Sequence, residues 1–438
     1  MTRLYVSLGL LIALEAVAFA DTQPDSAVGQ FDPEDAVAPI TTVEGPGIKI
    51  GEGTVLHPAF GLEGGYTSNV FYTASNPTGA GVLRALAQIS TGTLTGARIA
   101  PIGESEAPVE PGFQYRASAR LSYDAILSGN SIVRDTGGLG AGLSLLGVVN
   151  PSGPWTLTIN DDYARVIRAA NFETSTNVNR DINGFALNLL WHPGDRAVSG
   201  YAYYSNTLDI FEQNQGVYPD RLLNTIGVHP QWKIFPETQV YLDASFGFNS
   251  GLGTTPKQSS YPLVTVLGVQ TLLTLDLTLA GQIGYTNGFY SDGTPSYSAP
   301  TGGVQLGYRY SPFGRIQLNY NWLYSDSINA NFYRDEVISA LLTQKVGPLV
   351  FELQPELHFR EYDGIATLIP GAVDTRDDTI VSIIAGFHYV FRNWIAATLD
   401  YHFTDVSTDY RYPATATEEP FNPSYVRHDV LLGVRVAM

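Results

Sequence analysis

Over most of this chain, apolar and polar side chains change places at every step, in runs of 11 to 15 residues. Phe113, Tyr115, Ala117, Ala119, Leu121, Tyr123, Ala125 and Leu127 alternate with Gln114, Arg116, Ser118, Arg120, Ser122 and Asp124. Val240, Leu242, Ala244, Phe246 and Phe248 alternate with Tyr241, Asp243, Ser245, Gly247 and Asn249. A period of two puts successive side chains on opposite faces of a β-strand, so each run has one oily and one polar face. Soluble sandwiches alternate too, but their strands average five or six residues. A tilted strand that crosses a bilayer needs about 9–11. The length of the runs therefore points to a transmembrane sheet.

The connections carry a second signal, because short and long ones take turns. His192-Pro-Gly-Asp195, Phe235-Pro-Glu-Thr238, Ser311-Pro-Phe-Gly314 and Gly347-Pro348 are tight, whereas Arg168 to Asn179, Ser250 to Ser259, Asn287 to Ala299, Tyr362 to Asp377 and Ser407 to Ser424 are long and polar. Short turns at one rim and long loops at the other characterise outer-membrane barrels. Strands are expected to begin near Thr54, Val82, Phe113, Gly137, Trp155, Asp181, Ala197, Arg221, Thr238, Tyr261, Thr274, Gly302, Arg315, Arg334, Leu349, Asp378, Trp394 and Tyr425. That makes about eighteen, and lipid offers nothing to an unpaired edge, so the sheet must close. The expected fold is all-β, a transmembrane antiparallel β-barrel over residues 53–438.

The ends read differently. Arg3, the apolar stretch Leu4 to Ala18 and the small-x-small site Ala18-Phe19-Ala20 make residues 1–20 an expected cleaved signal peptide. Residues 21–52 scatter seven acids among Pro and Gly without a period, and are expected to be an acidic flexible periplasmic leader, with a plug as the alternative. The richest later run, Leu263 to Leu279, is broken by Thr265, Gln270, Thr271, Thr274 and Asp276, so no membrane helix is expected. A formal charge of −18 speaks against nucleic acid, and the absence of cysteine excludes thiolate chemistry and disulfides.

If the oily faces meet lipid, the other parity lines an aqueous interior, because a barrel this wide is not filled by its own side chains. Expected pore-lining residues are Arg116, Arg120, Asp124, Asp243, Asp276, Arg309, Glu352, Glu356, Arg360, Asp400, Arg427 and Arg435, with Gln282, Gln305, Gln317, Asn319, His402 and Asp429 on the same parity. Both signs of charge occur, and pairs such as Arg120 with Asp124 or Arg360 with Glu356 would stiffen the wall. Trp155, Trp191, Trp232, Trp322 and Trp394 fall near run ends and are expected at the membrane interface. The seven histidines lack Glu-x-x-His or His-x-x-x-His spacing. Asp400-x-His402 shares one face without a nucleophile pattern, and Asp374 to Asp378 reads as solvated acid before it reads as a calcium loop. No enzyme activity, cofactor or metal is expected.

At Gly51-Glu-Gly-Thr-Val-Leu-His-Pro58 and Gly64-Gly-Tyr-Thr-Ser-Asn-Val-Phe71 the chain resembles the outer-membrane barrel porins that accompany bacterial capsule and exopolysaccharide synthesis loci. The motif covers residues 50–72; beyond it the likeness is one of architecture, similar in size to the alginate exporter. The resemblance implies a Gram-negative outer membrane and passage of a secreted polysaccharide, with periplasmic export machinery as a partner. The final residue, Met438, departs from the Phe or Trp on which such barrels usually finish. Three functions stay open: a polysaccharide export conduit, an uptake porin for small hydrophilic solutes, and a structural or receptor barrel closed by its own loops.

Overall fold

The computed structural model describes residues 43, 45–51, 54–93, 112–167, 172–173, 179–194, 196–212, 218–253, 257–290, 294–365, 374–411 and 422–438. The expected signal, most of the leader and nearly all of the connection 95–112 lie outside them. Among the described residues nineteen strands form one sheet. They are β1 (Ile48–Gly51), β2 (Thr54–Thr67), β3 (Ala80–Thr93), β4 (Phe113–Leu127), β5 (Gly138–Val149), β6 (Trp155–Val166) and β7 (Arg180–Trp191). There follow β8 (Val198–Phe211), β9 (Asp220–Phe235), β10 (Thr238–Leu252), β11 (Leu263–Thr274), β12 (Leu277–Asn287) and β13 (Ser298–Ser311). The last are β14 (Gly314–Asp326), β15 (Phe332–Val346), β16 (Leu349–Asp363), β17 (Thr375–Arg392), β18 (Ile395–Thr408) and β19 (Tyr425–Ala437). A single helical turn, α1 (Ser131–Arg134), sits in the β4–β5 connection, capped by the Asn130 side chain.

From β2 to β19 each strand pairs antiparallel with the next, and β19 returns to β2 through Leu432↔Gly64 and Val436↔Phe60. The wall is thus a closed barrel of eighteen strands, with β1 added on the edge of β2 through Ile48↔Leu56. Closure leaves no ladder edge for lipid to solvate. No described helix is long and apolar enough to cross a membrane.

Six strands begin where the alternation places them: Thr54, Phe113, Trp155, Thr238, Leu349 and Tyr425. The largest difference is at β13, expected from Gly302 and found from Ser298. Pro300 reads as a breaker, yet it stands opposite Tyr285 in the ladder. It lies two residues inside the strand, near the rim, where a missing N–H costs little.

Most of the outer face is apolar. On β2, Phe60, Leu62 and Tyr66 are more than half exposed, while Ala59, Glu63 and Thr67 between them are buried. The buried side chains therefore lie inside the barrel, and they crowd toward the rim that carries the long loops. Tyr72, Ile380, Val406 and Tyr425 form one packed group there; Ala330, Tyr333, Tyr362, Ile365 and Tyr410 form another. At the rim of short turns the interior is more open, except beside the β19–β2 junction. There Val43 packs among Ala59, Leu86, Ala396 and Ala437, and Gly45 N–H donates to the Asn393 carbonyl at 3.1 Å.

Candidate functional site

The barrel interior is the candidate site, and each strand contributes to it through every second residue. Arg116, Arg120 and Asp124 stand on the inner face of β4, Asp243 on β10, Glu352, Glu356 and Arg360 on β16, Asp400 on β18, and Arg427 and Arg435 on β19. Asp276 is different. It lies in the β11–β12 turn, more than half exposed, and pairs with Arg309 at 3.0 Å at the short-turn rim.

Cross-strand neighbours organise most of these charges, and where one strand pairs its own residues they stand two apart, as in Arg427 with Asp429 at 2.9 Å. Arg84 on β3 holds Asp124 through two hydrogen bonds of 2.7 and 2.9 Å. Arg435 bridges Glu63 at 2.8 Å and Asp400 at 3.0 Å, and Asp400 also meets His388 at 2.9 Å. Arg360 reaches Asp335 on β15 at 2.7 Å, while Glu356 lies 3.5 Å from His358. The expected partners Arg120 and Asp124, or Glu356 and Arg360, are four residues apart on one strand, which is about 13 Å of rise. Directly opposite residues on adjacent strands are only about 5 Å apart. Glu63 and Arg84 escaped the sequence reading, although each shares the parity of its strand's inner face.

Toward the long-loop rim a dense ionic and aromatic collar fills the interior. Arg221 donates to Asp209 at 2.6 Å and to Asp326 at 3.0 Å, all three buried. Lys257, from the β10–β11 connection, meets Asp326 at 3.0 Å and donates to the carbonyls of Ser327 and Ala330. Burial pulls the Lys257 ammonium below the ordinary lysine value, against the opposing attraction of Asp326. Arg360 lies 4.2 Å over the Tyr333 ring, Arg376 4.8 Å over Tyr362 and Arg427 4.5 Å over Tyr72. Asp378, expected in a solvated loop, is buried on β17 and takes two hydrogen bonds from Arg376.

One connection reaches across the interior. Glu173, between β6 and β7, accepts from Ser327 Oγ at 2.6 Å and from Ile328 N–H at 2.8 Å in the β14–β15 connection. Its neighbour Phe172 packs 5.6 Å from the His358 ring and against the Tyr72–Ile380–Val406–Tyr425 group. Phe172 and Tyr72 both have positive φ, 57° and 54°, a region that non-glycine residues enter only when their surroundings hold them there.

The inner wall from β8 to β12, toward the short-turn rim, is lined by aromatic rings and amides. Tyr201, His229 and Tyr241 stack on one another at 4.6 and 4.7 Å. The fully buried Asp243 beneath them meets His229 Nδ1 at 2.9 Å and accepts from the Tyr203 hydroxyl at 3.1 Å. Glycine makes room for these rings: a Cβ on Gly268 would lie 2.1 Å from Tyr241 Cζ, and one on Gly227 2.3 Å from Tyr203 Cζ. Amides continue the surface. Gln239 donates to Gln270 at 2.9 Å, Gln231 to Ser199 at 2.8 Å, and Tyr241 to Gln282 at 2.9 Å. The tyrosines were visible as the inner parity of β8, Tyr201, Tyr203, Ser205, Thr207 and Asp209, but their stacking depends on three separate strands.

Of the five tryptophans, Trp155 and Trp191 meet at 6.2 Å at the short-turn end, where Trp232 and Trp394 also stand exposed. Trp322 lies farther up β14, opposite Glu336.

No family model matches the chain, and no curated protein matches it significantly. Similar solved structures include OccAB4 of Acinetobacter baumannii, at 12% identity and a TM-score of 0.44 over 87% of this chain and 98% of that one. OpdO of Pseudomonas aeruginosa is similar at 11% identity and a TM-score of 0.43 over 87% and 97%. The siderophore receptor PirA of the same organism is similar at 8% identity and a TM-score of 0.40 over 87% and 80%.

Proposed function

We propose that this chain is an outer-membrane channel of a Gram-negative bacterium that passes a secreted polysaccharide. The closed wall with an oily outside and a polar inside supports membrane residence. The observation that carries the choice of cargo is the inner surface of Tyr201, His229, Tyr241, Gln239, Gln270 and Gln282 on β8 to β12. Rings, hydroxyls and amides give a hydrated sugar stacking and hydrogen-bonding partners without a fixed charge to hold it. The carboxylate beside them, Asp243, is fully buried beneath the rings and held by His229 and Tyr203, so it is not presented to a passing polymer. The expected pore-lining arginines and carboxylates are then wall-stiffening groups, with the neutral surface between them as the track.

A second reading, uptake of small hydrophilic solutes, draws on the filled long-loop end, where Glu173 meets Ser327 and Ile328. Deletion of the gene separates the two. Export predicts loss of surface polysaccharide with normal uptake of small sugars, and uptake predicts the reverse. In planar bilayers, the export reading expects current block by neutral oligosaccharides that weakens when Tyr241 is replaced by alanine. Absence of both block and deletion phenotype would leave a closed structural barrel.

A further inference from the structure

The outer face of β6 to β9 breaks the apolar belt. Asn206 on β8 donates to Asn224 Oδ1 on β9 at 2.8 Å, and the Tyr204 hydroxyl donates to the same oxygen at 2.9 Å. Beside them Asn183 on β7 donates to Asp161 on β6 at 2.8 Å. These residues share the outward parity of their strands. On β9, Leu222 precedes Asn224 on the same face toward the long-loop rim, and Ile226 and Val228, each 50% exposed, follow it. On β8 and β9 the amides therefore have apolar residues on both sides, while on β6 and β7 the polar patch runs on to the long-loop rim through Tyr163, Arg165 and Asp181. A carboxylate or an unsatisfied amide facing hydrocarbon is costly, so a surface of this kind is covered by something polar.

The chemistry selects the cover. The Asn206–Asn224 pair spends one donor and one acceptor internally. Asn224 Nδ2 and Asn206 Oδ1 have no hydrogen-bond partner among the described residues. A donor and an acceptor side by side on one face match a copy of themselves related by a two-fold axis along the membrane normal, Asn224 of each chain donating to Asn206 of the other. Above the amides, Asp181 accepts from Tyr163 and Glu212 pairs with Arg165. Two carboxylates against one guanidinium disfavour an anionic lipid headgroup there. We infer that the β6–β9 face is a two-fold interface between copies of this chain, closed by reciprocal Asn206–Asn224 hydrogen bonds. The inference rests on the outer-membrane reading and not on the identity of the cargo.

The chain contains no cysteine, so single-cysteine variants report cleanly. Asn206→Cys and Asn224→Cys, treated in isolated outer membranes with a short bismaleimide, should give about tenfold more cross-linked dimer than Ile283→Cys on β12, outside the proposed face, as an isologous contact requires. Ile283 is 71% exposed on the outer face of β12 and serves as the non-interface position. Equal yields at all three positions, no dimer, or an adduct with the mass of a different protein would overturn the inference. Asn206→Leu with Asn224→Leu should abolish the dimer in mild detergent while the heat-modifiable barrel band persists, and retention of the dimer would also overturn it. Recovery of the labelled chain from the soluble fraction would instead count against the membrane reading itself.

Discussion

Arg435 on β19 donates to Glu63 on β2 at 2.8 Å, and both side chains are buried inside the barrel at the point where the sheet meets itself. The contact couples charge pairing to closure. Asp400 and Arg84 extend it over the two flanking strands. Replacing Glu63 with leucine leaves a buried guanidinium short of a partner, and loss of one member of such a pair costs about 3–5 kcal/mol. Glu63→Leu should therefore lower the temperature at which the folded band converts to the unfolded one on a gel. Glu63→Leu with Arg435→Met should recover much of that loss, because a matched apolar pair pays no desolvation. Equal stability of the single variant and the parent would show that the β2–β19 ladder alone holds the closure.

The Glu173 carboxylate accepts two hydrogen bonds that hold one connection against another inside the barrel, while Asn329 donates to the Glu173 main-chain carbonyl. Glu173→Ala removes both and leaves the strand ladders intact. Single-channel conductance should rise, with larger neutral solutes admitted. An unchanged conductance would mean that the collar of Arg221, Asp326 and Lys257 sets the narrowest point.

Gly268 offers a way to disturb the aromatic surface without touching an aromatic residue. A Cβ there would fall 2.1 Å from Tyr241 Cζ, far inside contact distance, so Gly268→Ala must tilt the ring away. Oligosaccharide block should weaken as it does in Tyr241→Ala, while the barrel still folds. Block that weakens in Tyr241→Ala but not in Gly268→Ala would assign the effect to the hydroxyl on Gln282 and not to the ring plane.

Val43 sits in an apolar socket of Ala59, Leu86, Ala396 and Ala437 just inside the short-turn rim. Val43→Asp puts a carboxylate into this apolar socket, and burying one without a partner costs several kcal/mol. The segment before β2 should then become accessible to protease in the detergent-solubilised protein, and Val43→Leu should remain protected. Equal cleavage of both variants would show that the Gly45–Asn393 hydrogen bond, not the socket, anchors this segment.

The alternation determined the class of fold, the parity of strands where it runs unbroken, such as β4, β10, β16 and β19, and a count of about eighteen, because a period of two over a membrane-length run admits only one solution in lipid: a closed sheet with one face wet. It placed Asp243, Arg360 and Arg435 on the inner face for the same reason. It could not choose their partners. Parity says which face a residue occupies, whereas partnership depends on the stagger between strands, which the alternation leaves free to shift by two. That is why Asp124 is held by Arg84 and Arg360 reaches Asp335, each one strand away. The tertiary structure alone decided that Tyr201, His229 and Tyr241 form one stack, since three strands must come into register for it, and that Glu173 lies against Ser327. A polar connection reads as solvated in sequence, and only the enclosed volume of the barrel, with buried donors waiting inside it, gives such a carboxylate a better place than water.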